Sequence, residues 1–371
     1  MLTVTSEAEL SLSERLRARI KRDGPISFHD WMQAALYDER EGYYCRRDID
    51  RWGRLGDYRT APERTPLFAA TLARYFVKLF EHLGSPSSWT IVEVGAGFGE
   101  FALGVLNFLE SNHPQIFAST GYLIDEESVD GRERVAANLA RFESRFRFCR
   151  LNEITETIPF GILFSNELID AFPVHRVILR GDELRSLYVG VNDKDDFIWI
   201  EGQLDSRVAE YCNRIGLQLI EGQIAEINLA AEEFIARAAT LFQRGFVITI
   251  DYGAERDELI GSPYRRQGTL RAAFHHQLAN NVLQQPGLRD LTTTIDWTQL
   301  KETGRREGLT EVRFERLDQF LLQEGLLKEL ENRTQAAGDA ENLSLRTGAR
   351  EMIMPDGMAA SFQVLVQERF G

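Results

Sequence analysis

WTIVEVGAGFGEFALGVLNFLE, from Trp89 to Glu110, is the stretch from which the fold of this 371-residue chain can be predicted. An apolar run ends at Val94, three glycines then alternate with other residues, and an apolar pattern of helical spacing follows. A chain that turns from a parallel strand into a helix leaves N–H groups free at the start of that helix. Glycines make such a turn tight and let a ligand approach the backbone. The segment therefore predicts a ligand-binding strand–turn–helix with Gly95, Gly97 and Gly99 in the turn.

The spacing of these glycines indicates which ligand the turn binds. A dinucleotide site has the pattern G-x-G-x-x-G, whereas here the pattern is G-x-G-x-G and Glu100 stands where the third glycine of a dinucleotide site would be. No Lys-Ser or Lys-Thr pair follows, which excludes a P-loop. Glu93, two residues before Gly95, would repel a pyrophosphate. A carboxylate at this point favours a cationic ligand, such as a sulfonium that also carries an amino group.

A second pair of acids, Asp125 and Glu126, closes the next predicted strand. At that end of a Rossmann-like sheet, a carboxylate can accept hydrogen bonds from both hydroxyls of a ribose. The sequence leaves open which of the two acids does so. Together, the turn and these acids predict an S-adenosylmethionine site, and the expected cofactor-binding residues in this part of the chain are Glu93, Gly95, Ala96, Gly97, Gly99, Asp125 and Glu126.

Strands alternate with helices after residue 85, which predicts an α/β fold with a parallel, doubly wound sheet. Helical patterns at 11–22 and from Ser27 predict an N-terminal helical cap, and VHRVILRGDELRSLYVGV predicts inserted antiparallel hairpins. We expect these inserted regions to contact the substrate. The predicted division of the chain is a cap at 1–84, a core at 85–170, a β-rich insertion at 171–228, core again at 229–253, a loop-rich insertion at 254–300 and the rest of the core at 301–371.

Composition excludes several classes of protein. The formal net charge of −14 argues against a general nucleic-acid-binding protein, which needs a basic face. The three cysteines are widely spaced, which is typical of a reducing compartment and gives no disulfide framework or zinc knuckle. His275 and His276 lack a third ligand at metal spacing, so we expect no metal site. With no apolar run of membrane-helix length and no signal-peptide pattern, we expect a cytoplasmic protein that does not bind membranes.

The fourth predicted strand ends in polar residues, in the stretch FSNELIDAFPVH. Ligands of doubly wound sheets lie beyond the carboxyl ends of the strands, so Asn166 and Glu167 are candidate catalytic residues. If a helical turn begins there, Glu167 and Asp170 share one of its faces. The alternative is helix capping, with Asn166 as the cap and the acids favoured by the helix dipole.

In these motifs the chain resembles the MidA-like methyltransferases, whose mitochondrial members assist assembly of respiratory complex I. The resemblance runs from about Gly24 to the end and includes GPISFHDWMQAALY, GYY, GDYRTAPE, VEVGAGFGE, NELIDAFPVH, DYG, GTLRAAFHH and PGLRDLTTTIDW. It implies a Rossmann-like class I methyltransferase fold and S-adenosylmethionine as cofactor. It also implies that Asp57, Thr60 and Glu63 belong to a loop over the cofactor, and that Asn166, Glu167 and Asp170 lie beside the transferred methyl group.

The mitochondrial branch of that family is associated with arginine methylation, so the resemblance implies a protein substrate methylated on arginine. The large insertions are also consistent with a protein substrate. A guanidinium is protonated at any working pH, and we expect Glu167, with Asp170 or Glu63, to bind it and accept its proton. A small-molecule methyltransferase and a non-catalytic assembly protein that keeps the cofactor pocket remain alternatives, and the sequence leaves a homodimer open.

Overall fold

The computed structural model describes residues 10–48, 60–274, 277–278, 281–335 and 337–370 of the chain. Within these ranges the main element is a seven-stranded sheet. A five-stranded sheet and two small sheets accompany it. The strands are β1 (Ile26–Ser27), β2 (Trp89–Val94), β3 (Thr120–Asp125), β4 (Phe146–Phe148), β5 (Ile158–Asn166), β6 (His175–Arg180), β7 (Glu183–Val191), β8 (Phe197–Gly202), β9 (Ile224–Ile227), β10 (Phe242–Asp251), β11 (Gly253–Ala254), β12 (Arg271–Phe274), β13 (Gln277–Leu278), β14 (Asp290–Thr292), β15 (Ile295–Asp296), β16 (Thr310–Arg316) and β17 (Gln363–Arg369).

Helices cover both faces of the main sheet and form much of the two ends of the chain. They are α1 (Leu12–Asp23), α2 (Phe28–Tyr37), α3 (Ala61–Arg64), α4 (Pro66–His82), α5 (Glu100–Asn112), α6 (Pro114–Ser119), α7 (Val129–Asn138), α8 (Ser206–Arg214), α9 (Leu229–Ala239), α10 (Arg256–Gly261), α11 (Trp297–Arg306), α12 (Leu317–Gln323), α13 (Leu326–Thr334) and α14 (Asp339–Ile353).

The main sheet has the strand order β16-β17-β10-β5-β2-β3-β4. Strands β4, β3, β2, β5 and β10 are parallel to one another, whereas β17 runs antiparallel to both of its neighbours. The strand order reverses at β2, which lies between β3 and β5, and doubly wound sheets bind their ligands at such a point. The expectation of an α/β fold with a central, mostly parallel sheet is therefore confirmed.

Apolar side chains alternate between the two faces of this sheet, as the two-residue period of a strand requires. On β5, Ile162 and Phe164 pack into the core beneath α4 and α5, while Leu163 packs into the core beneath α9 and α11. Both faces of the central strands are thus buried, and the polar ends of those strands are the part of the sheet that remains open to a ligand.

A second sheet joins the segment predicted as an N-terminal cap to the segment predicted as a β-rich insertion. Strand β1 of the cap pairs with β7 of the insertion, and the order of this second sheet is β1-β7-β6-β9, with β8 also paired to β7. Helices α1 and α2 share a core with that sheet, which includes Trp31 and Val189. The sequence pattern predicted each part separately, but it could not show that they pair.

Candidate active site

A cavity of about 570 Å³ opens at the carboxyl ends of β2, β3 and β5. Most of the residues that the sequence singled out line it. They are Thr60, Glu63, Glu93, Gly95, Ala96, Gly97, Asp125, Glu126, Asn166 and Glu167. The remaining three are different: Gly99 and Asp170 do not belong to the lining, and Asp57 lies outside the described residues.

The glycine turn forms one wall of the cavity. Gly95, Gly97 and Gly99 have φ values of 76°, 56° and 83°, in the left-handed region that favours glycine. A Cβ atom on Gly95 would lie 2.8 Å from Cδ1 of Leu168, so the turn can contact the segment after β5 only because this residue lacks a side chain. Gly99 instead begins α5 and packs against Val135 of α7, which explains why it does not reach the cavity.

Glu93 lies at the bottom of the cavity and is almost completely buried, with 3% of its surface exposed. The hydroxyl of Tyr122 donates a 2.6 Å hydrogen bond to its Oε2. Burial raises the pKa of Glu93 to about 8, and the hydrogen bond from Tyr122 offsets part of that effect. A cation bound next to Glu93 would favour the charged form of the carboxyl.

Asp125 and Glu126 both line the cavity, but their carboxyl groups have different partners. Asp125 accepts a 2.8 Å hydrogen bond from the backbone N–H of Leu151, just beyond β4. Glu126 accepts 3.0 Å hydrogen bonds from the N–H of Gly97, in the glycine turn, and of Ser128. The carboxyl group of Glu126 is therefore the one that lies against the glycine turn.

A second turn, after β5, lies beside the glycine turn and forms another part of the wall. Glu167 has a φ of 50°, which is uncommon for a residue other than glycine and is often found at functional sites. The side-chain amide of Asn166 donates a 3.1 Å hydrogen bond to Oε1 of Glu167. Burial raises the pKa of Glu167 to about 8, with a further contribution from the nearby Asp170. Among the described residues, no group bonds to Oδ1 of Asn166, and this atom is buried although the residue belongs to the lining.

The expectation that Glu167 and Asp170 share one face of a helix is wrong. Asn166 is the last residue of β5, and the helical turn that follows is a 3₁₀ turn that begins only at Ile169. The carboxyl of Asp251, at the end of β10, accepts hydrogen bonds from the N–H groups of Ile169 and Asp170, at 3.0 and 3.2 Å. Asp251 is thus the residue that holds this turn, and Asp170 is buried outside the cavity lining, where burial raises its pKa to about 6.

The N-terminal part of the chain covers the cavity. Thr60 directly precedes the short helix α3 and Glu63 belongs to it, and both residues line the cavity. The N–H of Ala61 lies 3.4 Å from Oε1 of Glu167. Gln33 and Tyr37 of α2, followed by Tyr44, also line the cavity. Sequence reasoning missed these last three residues, although all three belong to motifs that carry the family resemblance, because their positions depend on the pairing of β1 with β7.

The charge of the cavity has one sign. Its described lining contains eight carboxyl side chains and no lysine, arginine or histidine. The eight are Glu63, Glu93, Glu100, Asp125, Glu126, Glu127, Glu167 and Glu233. Because like charges placed together in a poorly solvated site repel one another, this arrangement favours a cationic ligand and opposes a polyphosphate.

Residues 71–314 match the family described as "Putative S-adenosyl-L-methionine-dependent methyltransferase". The chain belongs to this family. A crystal structure of a Burkholderia thailandensis protein bound to S-adenosyl-homocysteine is similar to it, with a TM-score of 0.84, 27% identity, and coverage of 96% of this chain and 92% of the other. S-Adenosylmethionine is therefore the cofactor of this methyltransferase, as the sequence predicted.

Among curated proteins, the chain is 24% identical to the Drosophila melanogaster "Protein arginine methyltransferase NDUFAF7 homolog, mitochondrial", over 80% of this chain and 71% of the relative. It is also 24% identical to the Caenorhabditis elegans protein of the same name, over 93% of this chain and 83% of the relative. These relatives are named as mitochondrial, which contradicts the expectation of a cytoplasmic protein. Composition and cysteine spacing do not distinguish the cytosol from other reducing compartments.

The described residues lack features of membrane-spanning helices and of metal sites. No helix among them combines the length and the apolar character needed to cross a membrane. Within the same ranges, no group of three or more histidine, cysteine, aspartate or glutamate side chains has the arrangement of a metal site. The His275–His276 pair lies outside the described residues.

Proposed function

We propose that this methyltransferase transfers a methyl group to an arginine side chain of a protein substrate. The observation that carries the proposal is the cavity wall after β5. There, Glu167 and Asn166 lie beside the glycine turn, in a lining that holds eight carboxyl groups and, among the described residues, no basic one. The names of the curated relatives, which are protein arginine methyltransferases, support the same acceptor.

The residues of the cavity fit the cofactor that the family requires. The glycine turn lets a ligand approach its backbone N–H groups, and Glu93 supplies a carboxyl group for the cationic end of the ligand. We infer that Glu126 rather than Asp125 binds the ribose, because the carboxyl of Glu126 already lies on the glycine turn whereas that of Asp125 is bonded to Leu151. When bound, the cofactor supplies an electrophilic methyl group on a sulfonium.

The wall after β5 has the groups that an arginine acceptor needs. A guanidinium presents several N–H donors in one plane and has no acceptor, so it matches the carboxyl of Glu167. Glu63, in α3, offers a second carboxyl to the same cavity. These contacts would hold the attacking nitrogen in one orientation, which is the main contribution an enzyme makes to methyl transfer.

Proton removal is the second requirement of this reaction, since the guanidinium nitrogen must lose a proton when it gains a methyl group. Burial raises the pKa of Glu167 to about 8, well above that of an ordinary glutamate. A base whose pKa lies near the working pH transfers protons efficiently. We propose that the bound guanidinium favours the charged form of the Glu167 carboxyl, which then accepts this proton, with Asn166 fixing the carboxyl group through the 3.1 Å hydrogen bond.

The test is methyl transfer from radiolabelled S-adenosylmethionine to an extract of cells that lack this protein. We expect label in the protein fraction and, after acid hydrolysis, in methylarginine. Label in methyllysine or in small metabolites would overturn the arginine assignment and leave the methyltransferase class intact. Cofactor binding without transfer to any fraction would favour a non-catalytic assembly protein. Gly97→Val protein is the control for label that arises without a working cofactor site.

A further inference from the structure

Two tyrosines of the N-terminal cap line the cavity, and neither has a role in the function described so far. Tyr37 is the last residue of α2, and Tyr44 lies shortly after it, where the chain folds back onto the helix through a 2.9 Å hydrogen bond from Tyr44 N–H to the carbonyl of Leu36. Their ring centroids are 5.4 Å apart, and the rings are tilted by 33°. The two rings therefore form one continuous aromatic surface, here called the tyrosine wall.

Hydrogen bonds fix the tyrosine wall at its hydroxyl ends. Tyr37 donates a 3.1 Å hydrogen bond to the carbonyl of Ala171, and Tyr44 donates a 2.7 Å hydrogen bond to Oδ1 of Asp290. Both acceptors belong to the segments around the turn that carries Glu167, because Ala171 closes that turn and Asp290 begins β14 beside it. The tyrosine wall is thus attached to the Glu167 side of the cavity.

The charged groups around Tyr37 also indicate that the tyrosine wall lies on the Glu167 side of the cavity. Burial raises its pKa well above the ordinary value, and Asp170 and Asp290 add more to this than Glu126 or Glu127 do. Tyr37 therefore remains a neutral phenol that donates its proton to Ala171. The carboxyl groups around the Glu167 turn thus affect Tyr37 more strongly than Glu127 or Glu126 does, and Glu126 is the acid that we assign to the ribose.

We propose that the tyrosine wall is the binding subsite for the acceptor side chain, and that its rings hold the cationic guanidinium and its alkyl stem next to Glu167. Aromatic faces attract cations through their quadrupole, and arginine stacks on them more readily than lysine does. The apolar stem would pack against ring surface, as long cationic side chains do. This inference rests on the proposed function, because it gives a place to the arginine that the function requires.

The experiment measures binding to the full chain saturated with S-adenosyl-homocysteine, by ligand-observed NMR. The probes are Nα-acetyl-arginine methylamide, the corresponding lysine compound, and the citrulline compound, which has the shape of arginine without its charge. For the wild type we expect the arginine probe to bind best and the citrulline probe at least ten-fold more weakly. Tyr44→Leu should weaken binding of the arginine probe by about ten-fold, whereas Tyr44→Phe, which keeps the ring, should change it by less than two-fold.

Controls separate the possible failures. Every variant should bind S-adenosyl-homocysteine as the wild type does, which also shows that it is folded, and Tyr264→Leu removes an exposed tyrosine outside the cavity without an expected effect. If Tyr44→Leu and Tyr37→Leu bind the arginine probe like the wild type, the subsite is wrong and the proposed function stands. If both lose S-adenosyl-homocysteine affinity instead, the wall belongs to the cofactor site. If the wild type does not prefer arginine over citrulline, the arginine assignment itself fails.

Discussion

Two turns lie side by side at the switch point of the main sheet, and they differ in how they keep a left-handed backbone. The turn after β2 uses glycines, at Gly95 and Gly97, where this conformation costs little. The turn after β5 uses Glu167, with a φ of 50°, and needs Asp251 to hold the N–H groups that follow. The two turns touch where Leu168 approaches Gly95.

The difference follows from what each turn presents to the cavity. The glycine turn offers backbone, so any side chain would obstruct the ligand. The Glu167 turn offers a carboxyl group, so the residue in the strained conformation must have a side chain, and neighbouring hydrogen bonds have to compensate for the strain. We therefore expect substitutions in the first turn to abolish binding, and substitutions in the second to slow the reaction while binding persists.

The largest expected effect is that of Gly97→Val on cofactor binding. A β-branched residue at a φ of 56° is strained and places bulk where the cofactor must approach. We expect affinity for S-adenosylmethionine to fall by more than about 100-fold, which corresponds to about 2.8 kcal/mol. The measurement is calorimetric titration. Gly181→Val is the matched control, since Gly181 has a φ of 59° but lies outside the cavity lining, and a Cβ atom there would meet no other atom within 4 Å. Equal losses in both variants would show that unfolding is the cause.

Glu167→Gln should have the next largest effect, and on the rate rather than on binding. The amide keeps the shape of the side chain but cannot accept a proton at neutral pH, and positioned bases contribute about 10²- to 10⁴-fold to rates. We expect kcat to fall by about 100-fold and the dissociation constant of S-adenosylmethionine to change by less than about three-fold. Single-turnover kinetics separates the two quantities, with the exposed Glu156→Gln as control. A variant that keeps the wild-type rate would remove Glu167 from the mechanism.

A third comparison, between Glu126→Gln and Asp125→Asn, concerns the ribose. Because Glu126 lies on the glycine turn, we expect its amide variant to weaken cofactor binding by about ten-fold, roughly the value of one charged hydrogen bond. Asp125→Asn should weaken binding by less than about three-fold and instead lower thermal stability, since it disturbs the bond to Leu151. The reverse order of affinities would make Asp125 the ribose ligand.

The smallest expected effect is the pH dependence of binding. Because the pKa of Glu93 is raised to about 8, its neutral form predominates in the free protein below about pH 8. The folding stability that goes with this neutral form is lost as the pH rises through 8. A bound cation favours the charged form. Affinity for S-adenosylmethionine should therefore increase by about five-fold from pH 6.5 to pH 8.5, with proton release near pH 7.5.

Calorimetric titration in two buffers of different ionisation enthalpy measures both quantities. S-Adenosyl-homocysteine is the matched control ligand, because it lacks the sulfonium charge and should gain less affinity over the same range. Glu93→Gln should reduce the proton release. An affinity for S-adenosylmethionine that is independent of pH, without proton release, would show that Glu93 does not contact the cation.

Local sequence determined the sheet and the first turn. The strand–turn–helix at Trp89–Glu110 can be predicted because its apolar period and its glycines are properties of residues close together in the chain. The polar ends of β3 and β5 were predictable for the same reason, since parallel strands bring their carboxyl ends to one edge. The exclusion of a dinucleotide likewise followed from a single local feature, Glu100 in place of a glycine.

Tertiary structure decided what depends on residues far apart in sequence. Asp251 holds the turn at Ile169 across 82 positions, Tyr44 meets Asp290 across 246, and the cap strand pairs with an insertion more than 150 residues away. No local pattern encodes such contacts, because they arise only when separate elements bury their apolar faces together. For the same reason Asp170, which the sequence placed among the catalytic candidates, is buried outside the cavity lining, while the two tyrosines of the tyrosine wall, to which the sequence gave no role, belong to the lining.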